Sequence, residues 1–154
     1  MDKIIGRDTE LAKLAKYNQS GKAEFIALYG RRRIGKTSLI RYCFKDKFDF
    51  FVSGVLEGGK EDQKNAFLGA LEKYGYEGPK PKNWNEAFKA LGTIIAKKKR
   101  KKRCIVFIDE VSCFDFEYSN FVKELGIFWN DIAVWSDNIF LVICGSATSW
   151  MIRN

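Results

Sequence analysis

The chain has 154 residues and not one histidine. That absence rules out a cysteine–histidine nucleophile pair and removes the commonest zinc ligand. Cysteine is sparse as well: Cys43, Cys104, Cys113 and Cys144 stand far apart and form no C-x-x-C pair, so neither a zinc ribbon nor a dithiol redox centre is expected. Cys104 and Cys144 fall inside apolar runs and read as small buried hydrophobes in reduced form. Long apolar stretches are missing too. The longest, at 105–108 and 139–144, are strand-sized, whereas a membrane helix needs about 18 residues or more. The N-terminus, Met1-Asp2-Lys3-Ile4-Ile5-Gly6-Arg7-Asp8, is too polar for a secretory signal, so no membrane association and a cytoplasmic location are expected. The two prolines, Pro79 and Pro81, both lie in one short loop-like stretch at 75–82, which leaves the rest of the chain open to regular structure.

Positive charge, by contrast, is in excess, and its placement matters more than its total. The net charge is +8, and the unbroken basic run Lys97 to Arg103 supplies seven cationic groups, so the remainder is close to neutral. A run of this kind can meet a phosphate backbone, which makes nucleic acid a candidate partner for residues 97–103. No aromatic side chain interrupts the run to stack on bases, so a solvated helix end and loop is the competing expectation.

Apolar periodicity divides the chain into alternating strands and helices. Asp8 or Thr9 is placed to cap a first helix bearing Leu11 and Leu14. Strands are expected at 25–29, 48–53, 104–108 and 139–144, the first of them short and buried, with helices after the loop at 30–35, over 60–74, 84–99 and 118–132. The strand at 104–108 is apolar on consecutive positions and should be covered on both faces, as in a parallel sheet. Alternation of this kind predicts right-handed βαβ crossovers and a single α/β domain over residues 1–154.

Gly30-Arg31-Arg32-Arg33-Ile34-Gly35-Lys36-Thr37 fits G-x-x-x-x-G-K-[ST] in full, between an expected strand and an expected helix. Backbone N–H groups of such a loop converge on phosphate oxygens, and the helix N-terminus adds partial positive charge. Gly30, Arg33, Ile34, Gly35, Lys36, Thr37 and Ser38 are the candidate nucleotide cradle, with Lys36 reaching the β- and γ-phosphates and the Thr37 hydroxyl a ligand for Mg²⁺. The apolar strand at 104–108 ends in Asp109 and Glu110. Asp109 is the second candidate for Mg²⁺, and Glu110 the candidate base for an attacking water. Ser146, at the carboxyl end of the last strand, could sense a γ-phosphate or simply cap the next helix.

These segments together resemble the archaeal-type AAA+-like P-loop ATPases of the STAND group. The likeness runs through Ile5-Gly6-Arg7-Asp8, Tyr29 to Thr37, Phe107-Ile108-Asp109-Glu110 and Cys144 to Met151. It implies a three-layer sandwich with a parallel sheet of order 5-1-4-3-2, ATP and Mg²⁺ as ligands, an adenine pocket lined by the backbone at Ile5 and Gly6, and Ser146 as the polar sensor. It also implies an ATPase used as a regulatory switch, whose fifth strand and lid would lie beyond Asn154, so this chain is expected to be the front part of the domain, with weak turnover of its own. An unpaired strand edge would then invite self-association. Two other functions are open: a nucleotide-dependent nucleic-acid-binding module with little turnover, and a P-loop phosphotransferase, which would need an acceptor pocket. GTP is disfavoured because no N-K-x-D motif is present.

Overall fold

The computed structural model describes residues 8–30, 36–98, 103–131, 133 and 136–146. Its elements in chain order are α1 (Asp8–Asn18), β1 (Glu24–Gly30), α2 (Lys36–Phe44), β2 (Phe50–Ser53), α3 (Lys60–Lys73), α4 (Trp84–Ala96), β3 (Cys104–Asp109), a short 3-10 turn (Val111–Phe114), α5 (Phe121–Asp131) and β4 (Ile139–Ser146). The strands form one parallel sheet in the order β1-β4-β3-β2. This is the 1-4-3-2 arrangement that the resemblance implied. Each strand and helix expected between residues 8 and 146 is present, with some ends displaced by a few residues; the helix expected after β4 lies outside the described residues.

Side-chain alternation along the central strands sorts the core into two halves. On β3, Cys104, Val106 and Ile108 face one cluster while Ile105 and Phe107 face the other; on β4, Ile139, Leu141 and Ile143 oppose Phe140, Val142 and Cys144 in the same way. Every residue of β3 is buried, as its unbroken apolar run required. The first face is covered by α3, α4 and α5, which bring Phe67, Leu71, Trp84, Phe88, Phe121 and Phe128. The second is covered by α1 and α2 through Leu14, Leu39, Ile40 and Phe44. Helices on both sides of a parallel sheet make the three-layer α/β sandwich.

Two expectations need correction. β1 reads as buried from its apolar sequence, yet Phe25, Ile26 and Leu28 are only half-buried and Ala27 is exposed. The physical reason is its position: among the described residues β1 pairs with β4 alone and forms an edge of the sheet. The basic run is not uniformly solvated either. Arg103 donates to the carbonyls of Tyr17 (2.6 Å), Lys22 (2.7 Å) and Asp137 (3.2 Å), and its guanidinium lies 5.3 Å from the centroid of the Phe140 ring. Burial lowers its pKa, an effect partly offset by the charge of Glu24. Lys98 reaches the buried Asp49, whose carboxylate accepts the Ile105 N–H at 2.8 Å. Residues 99–102 lie outside the described residues.

Candidate functional site

In a parallel sheet all strands end on one edge, and that edge collects the polar residues singled out by the sequence. Gly30 is the last residue of β1 and pairs with Ser146, the last residue of β4. Gly145 and Ser146 are therefore the end of a strand and not a loop following it, which corrects the expected boundary at Cys144. Lys36, Thr37 and Ser38 open α2, whose N-terminus points back to the same edge. Ile143 pairs with Ala27 on one side and Ile108 on the other, so Asp109 sits across β4 from β1, one step beyond that level. Asp109 has the parity of Ile105 and Phe107, which places it towards the face covered by α2. The structure thus gathers Gly30, the start of α2, Asp109, Glu110 and Ser146 along one edge. Ile5, Gly6, Arg33, Ile34 and Gly35 lie outside the described residues.

Asp109 is 6% exposed and Glu110 half-buried, which keeps their carboxylates partly shielded from bulk water. The turn that begins there is sharp. Glu110 adopts a left-handed conformation (φ 50°, ψ 47°), a region that a residue with a Cβ seldom enters unless its surroundings hold it there. Three hydrogen bonds do so. The Glu110 N–H donates to Asp109 Oδ1 at 2.8 Å, the Glu110 carbonyl accepts the Cys113 N–H at 3.0 Å, and the Gly54 N–H donates to the Asp109 carbonyl at 2.9 Å. The 3-10 turn that follows escaped sequence reading because four residues carry too little periodicity to register.

Gly54, just past the end of β2, carries no sequence motif that marks it as part of the site. A Cβ there would stand 2.5 Å from the Glu110 carbonyl oxygen and 2.5 Å from Cys113 Cβ, so only glycine lets the chain leaving β2 pass this close to the turn. The residue before it, Ser53, lies opposite Asp109 in the strand pair, and Ser53 Oγ donates to the Gly54 carbonyl at 3.2 Å.

Among the described residues there is no cluster of three or more carboxylate, thiol or imidazole groups able to cage a metal. A magnesium held at this edge would instead take few protein oxygens and complete its shell with phosphate and water, a donor set that suits Mg²⁺ and that a single buried carboxylate at the end of β3 fits. No helix among the described residues is long and apolar enough to cross a membrane.

Comparison with known proteins agrees with this arrangement. The uncharacterized protein MJECL04 of Methanocaldococcus jannaschii is 29% identical over 157 residues, a match that covers 96% of this chain and 30% of the relative. Two solved structures share the fold at 18% identity and a TM-score of 0.57: the Walker-type ATPase PABY2304 of Pyrococcus abyssi, over 92% of this chain and 45% of that one, and Cdc6p of Pyrobaculum aerophilum, over 100% and 42%. The chain therefore spans less than half the length of each of these proteins. The family described as an ATPase domain predominantly from Archaea matches residues 4–154, nearly the whole chain. With the phosphate-loop sequence between β1 and α2 and the acidic pair at the end of β3, the chain belongs to that family of archaeal-type P-loop ATPases.

Proposed function

We propose that this chain binds Mg-ATP at the carboxyl edge of its sheet and that its domain hydrolyses ATP to drive a regulatory switch. The observation that carries the reading is the meeting, on one edge, of the Gly30-to-Thr37 sequence between β1 and α2 with Asp109 and Glu110 at the end of β3. Backbone amides of Gly30, Arg33, Ile34, Gly35, Lys36, Thr37 and Ser38 cradle the phosphates, and Lys36 neutralises charge on the β- and γ-phosphates. Ile5 and Gly6 line the adenine pocket. Thr37 and Asp109 hold Mg²⁺, which supplies charge neutralisation on the phosphate oxygens when bound. Glu110 orients a water and takes its proton as the water oxygen bonds to the γ-phosphorus and the bond to the β–γ bridging oxygen breaks. Ser146, level with Gly30 across the strand pair, is the polar group for sensing the γ-phosphate.

The site acts in the cytoplasm on this reading. For nucleic acid through residues 97–103 no specific observation speaks: Arg103 bonds backbone carbonyls around the start of β3, and Lys98 lies 3.9 Å from Asp49. Nothing specific favours a phosphotransferase.

Calorimetric titration with Mg²⁺ and a non-hydrolysable ATP analogue, with GTP and Lys36→Ala as controls, tests the proposal. Saturable binding that prefers ATP and is lost in Lys36→Ala is the expected result. Folded protein that binds neither nucleotide would refute it.

A further inference from the structure

The loop that follows β2 is ordered by something other than burial. Val55, Leu56 and Glu57 are all exposed, and Glu57 has a left-handed backbone (φ 63°), so neither apolar contact nor local preference explains the shape of this segment. Its two ends are fixed by the Gly54 N–H on the Asp109 carbonyl (2.9 Å) and the Gly59 N–H on Asp62 Oδ2 (2.8 Å); between them, besides a turn bond from the Gly58 N–H to the Val55 carbonyl at 3.0 Å, the described contacts come from one side-chain amide. Gln63 in the first turns of α3 is 2% exposed, an unfavourable place for a polar side chain unless its hydrogen bonds are made. They are: Gln63 Oε1 accepts the Val55 N–H at 2.8 Å, and Gln63 Nε2 donates to the carbonyls of Val55 (2.9 Å) and Gly58 (3.3 Å). Only a primary amide of this length offers one acceptor and two donors in that order.

Val55 is joined directly to Gly54, which bonds the Asp109 carbonyl and packs against the Glu110 carbonyl and Cys113. We infer that Gln63 is a positioning residue for Glu110, acting through the backbone of Val55 and Gly54 to hold the left-handed turn that aims the carboxylate. The inference rests on the reading of Glu110 as the group that orients the attacking water. Gln63 itself touches neither the turn nor the phosphate loop among the contacts described, so its effect is confined to geometry. Losing the clamp frees Gly54 to move, and a displacement of about 1 Å at a catalytic group costs on the order of 100-fold in rate. Gly30 and the start of α2 share no described contact with Gln63, so the larger effect falls on rate and the smaller on nucleotide affinity.

Single-turnover hydrolysis, with protein in excess over Mg-ATP, tests this when run beside calorimetric binding of the non-hydrolysable analogue. The series is wild type, Gln63→Leu, Gln63→Glu and Glu110→Gln, each checked for folding by circular dichroism. Gln63→Leu keeps the bulk and loses all three bonds; Gln63→Glu turns an acceptor against two carbonyls. Expected is a rate at least about tenfold below wild type in either Gln63 variant, with affinity unchanged within about twofold. A folded Gln63 variant with wild-type rate overturns the inference, as does a parallel loss of rate and affinity, which a merely structural role would produce. If one variant does not fold, the other decides. Wild-type protein that binds ATP without turnover, or Glu110→Gln that hydrolyses normally, would instead refute the role given to Glu110 and the inference with it.

Discussion

Arg103 shows how far a residue's surroundings can change its meaning. As the last member of a seven-residue basic run it looks like a contact for polyanions, yet it ties the end of α1, the turn before β1 and the turn before β4 to the start of β3. A guanidinium suits this because its five donors are spread over a rigid planar fork; an ammonium offers three donors from a single atom on a flexible stem. Arg103→Lys is expected to lower unfolding stability by about 1–2 kcal/mol, the lower part of the range for charged hydrogen bonds because the group is partly exposed. Urea denaturation measures it, and Lys97→Ala, whose ammonium makes a long 3.5 Å contact with the Gly75 carbonyl, should shift the midpoint far less. Cys43 offers a second check at this scale. Burial raises its pKa, so the thiolate is scarce at neutral pH, and its labelling by an alkylating reagent should speed up as pH rises towards and beyond the ordinary thiol range.

At the scale of elements, one face of the sheet is organised around a single ring. Phe67 of α3 is fully buried and meets Phe50 of β2, Trp84 and Phe88 of α4, Phe114 of the 3-10 turn and Phe121 of α5, with ring centroids 5.3 to 6.3 Å apart. Three helices, the turn and a strand come together there. Phe67→Ala leaves a cavity that these rings cannot all close, and a loss of about 3–5 kcal/mol is expected in equilibrium unfolding. The same change should disturb the turn after β3, because Phe114 loses an edge-on neighbour. α4 illustrates the opposite case, an element readable almost in full from its residues. Asn83 caps it by accepting the Glu86 N–H at 2.9 Å, and Trp84, Phe88, Leu91, Ile94 and Ile95 recur at helical spacing on the buried side.

For the whole molecule the decisive feature is the β1 edge. Among the described residues no strand pairs with that side of β1, and half-buried Phe25, Ile26 and Leu28 lie along it. Sheet edges of this kind pair readily with other chains. Concentration-dependent self-association is the expected behaviour, measured by sedimentation velocity, and replacing the exposed Ala27 by lysine, a charge of the kind that blunts natural sheet edges, should weaken it. A single monomeric species across the accessible concentrations would count against edge pairing. Nucleotide should act on the same property only indirectly, since Gly30 and α2 lie at the end of the strand and not along its edge.

The succession of strands and helices, the two-sided burial of β3, the phosphate-loop pattern and the acidic pair are legible in the residues alone, because each is a local pattern: a period, a spacing, or an apolar run ending in charge. Asp109 and Glu110 could be picked out in this way, as could Lys36 and Thr37. The placing of β4 between β1 and β3 came from likeness to a family and from no pattern in the residues, and it was the tertiary structure that set Ser146 level with Gly30 and bound Arg103 to the turns around it. The roles of Gly54 and Gln63 were likewise invisible, since one depends on room beside a turn far along the chain and the other on a loop whose own side chains face solvent. A one-dimensional pattern records what a residue is and who its near neighbours are; contacts across the sheet depend on which strands become adjacent, and that is settled only when the layers pack.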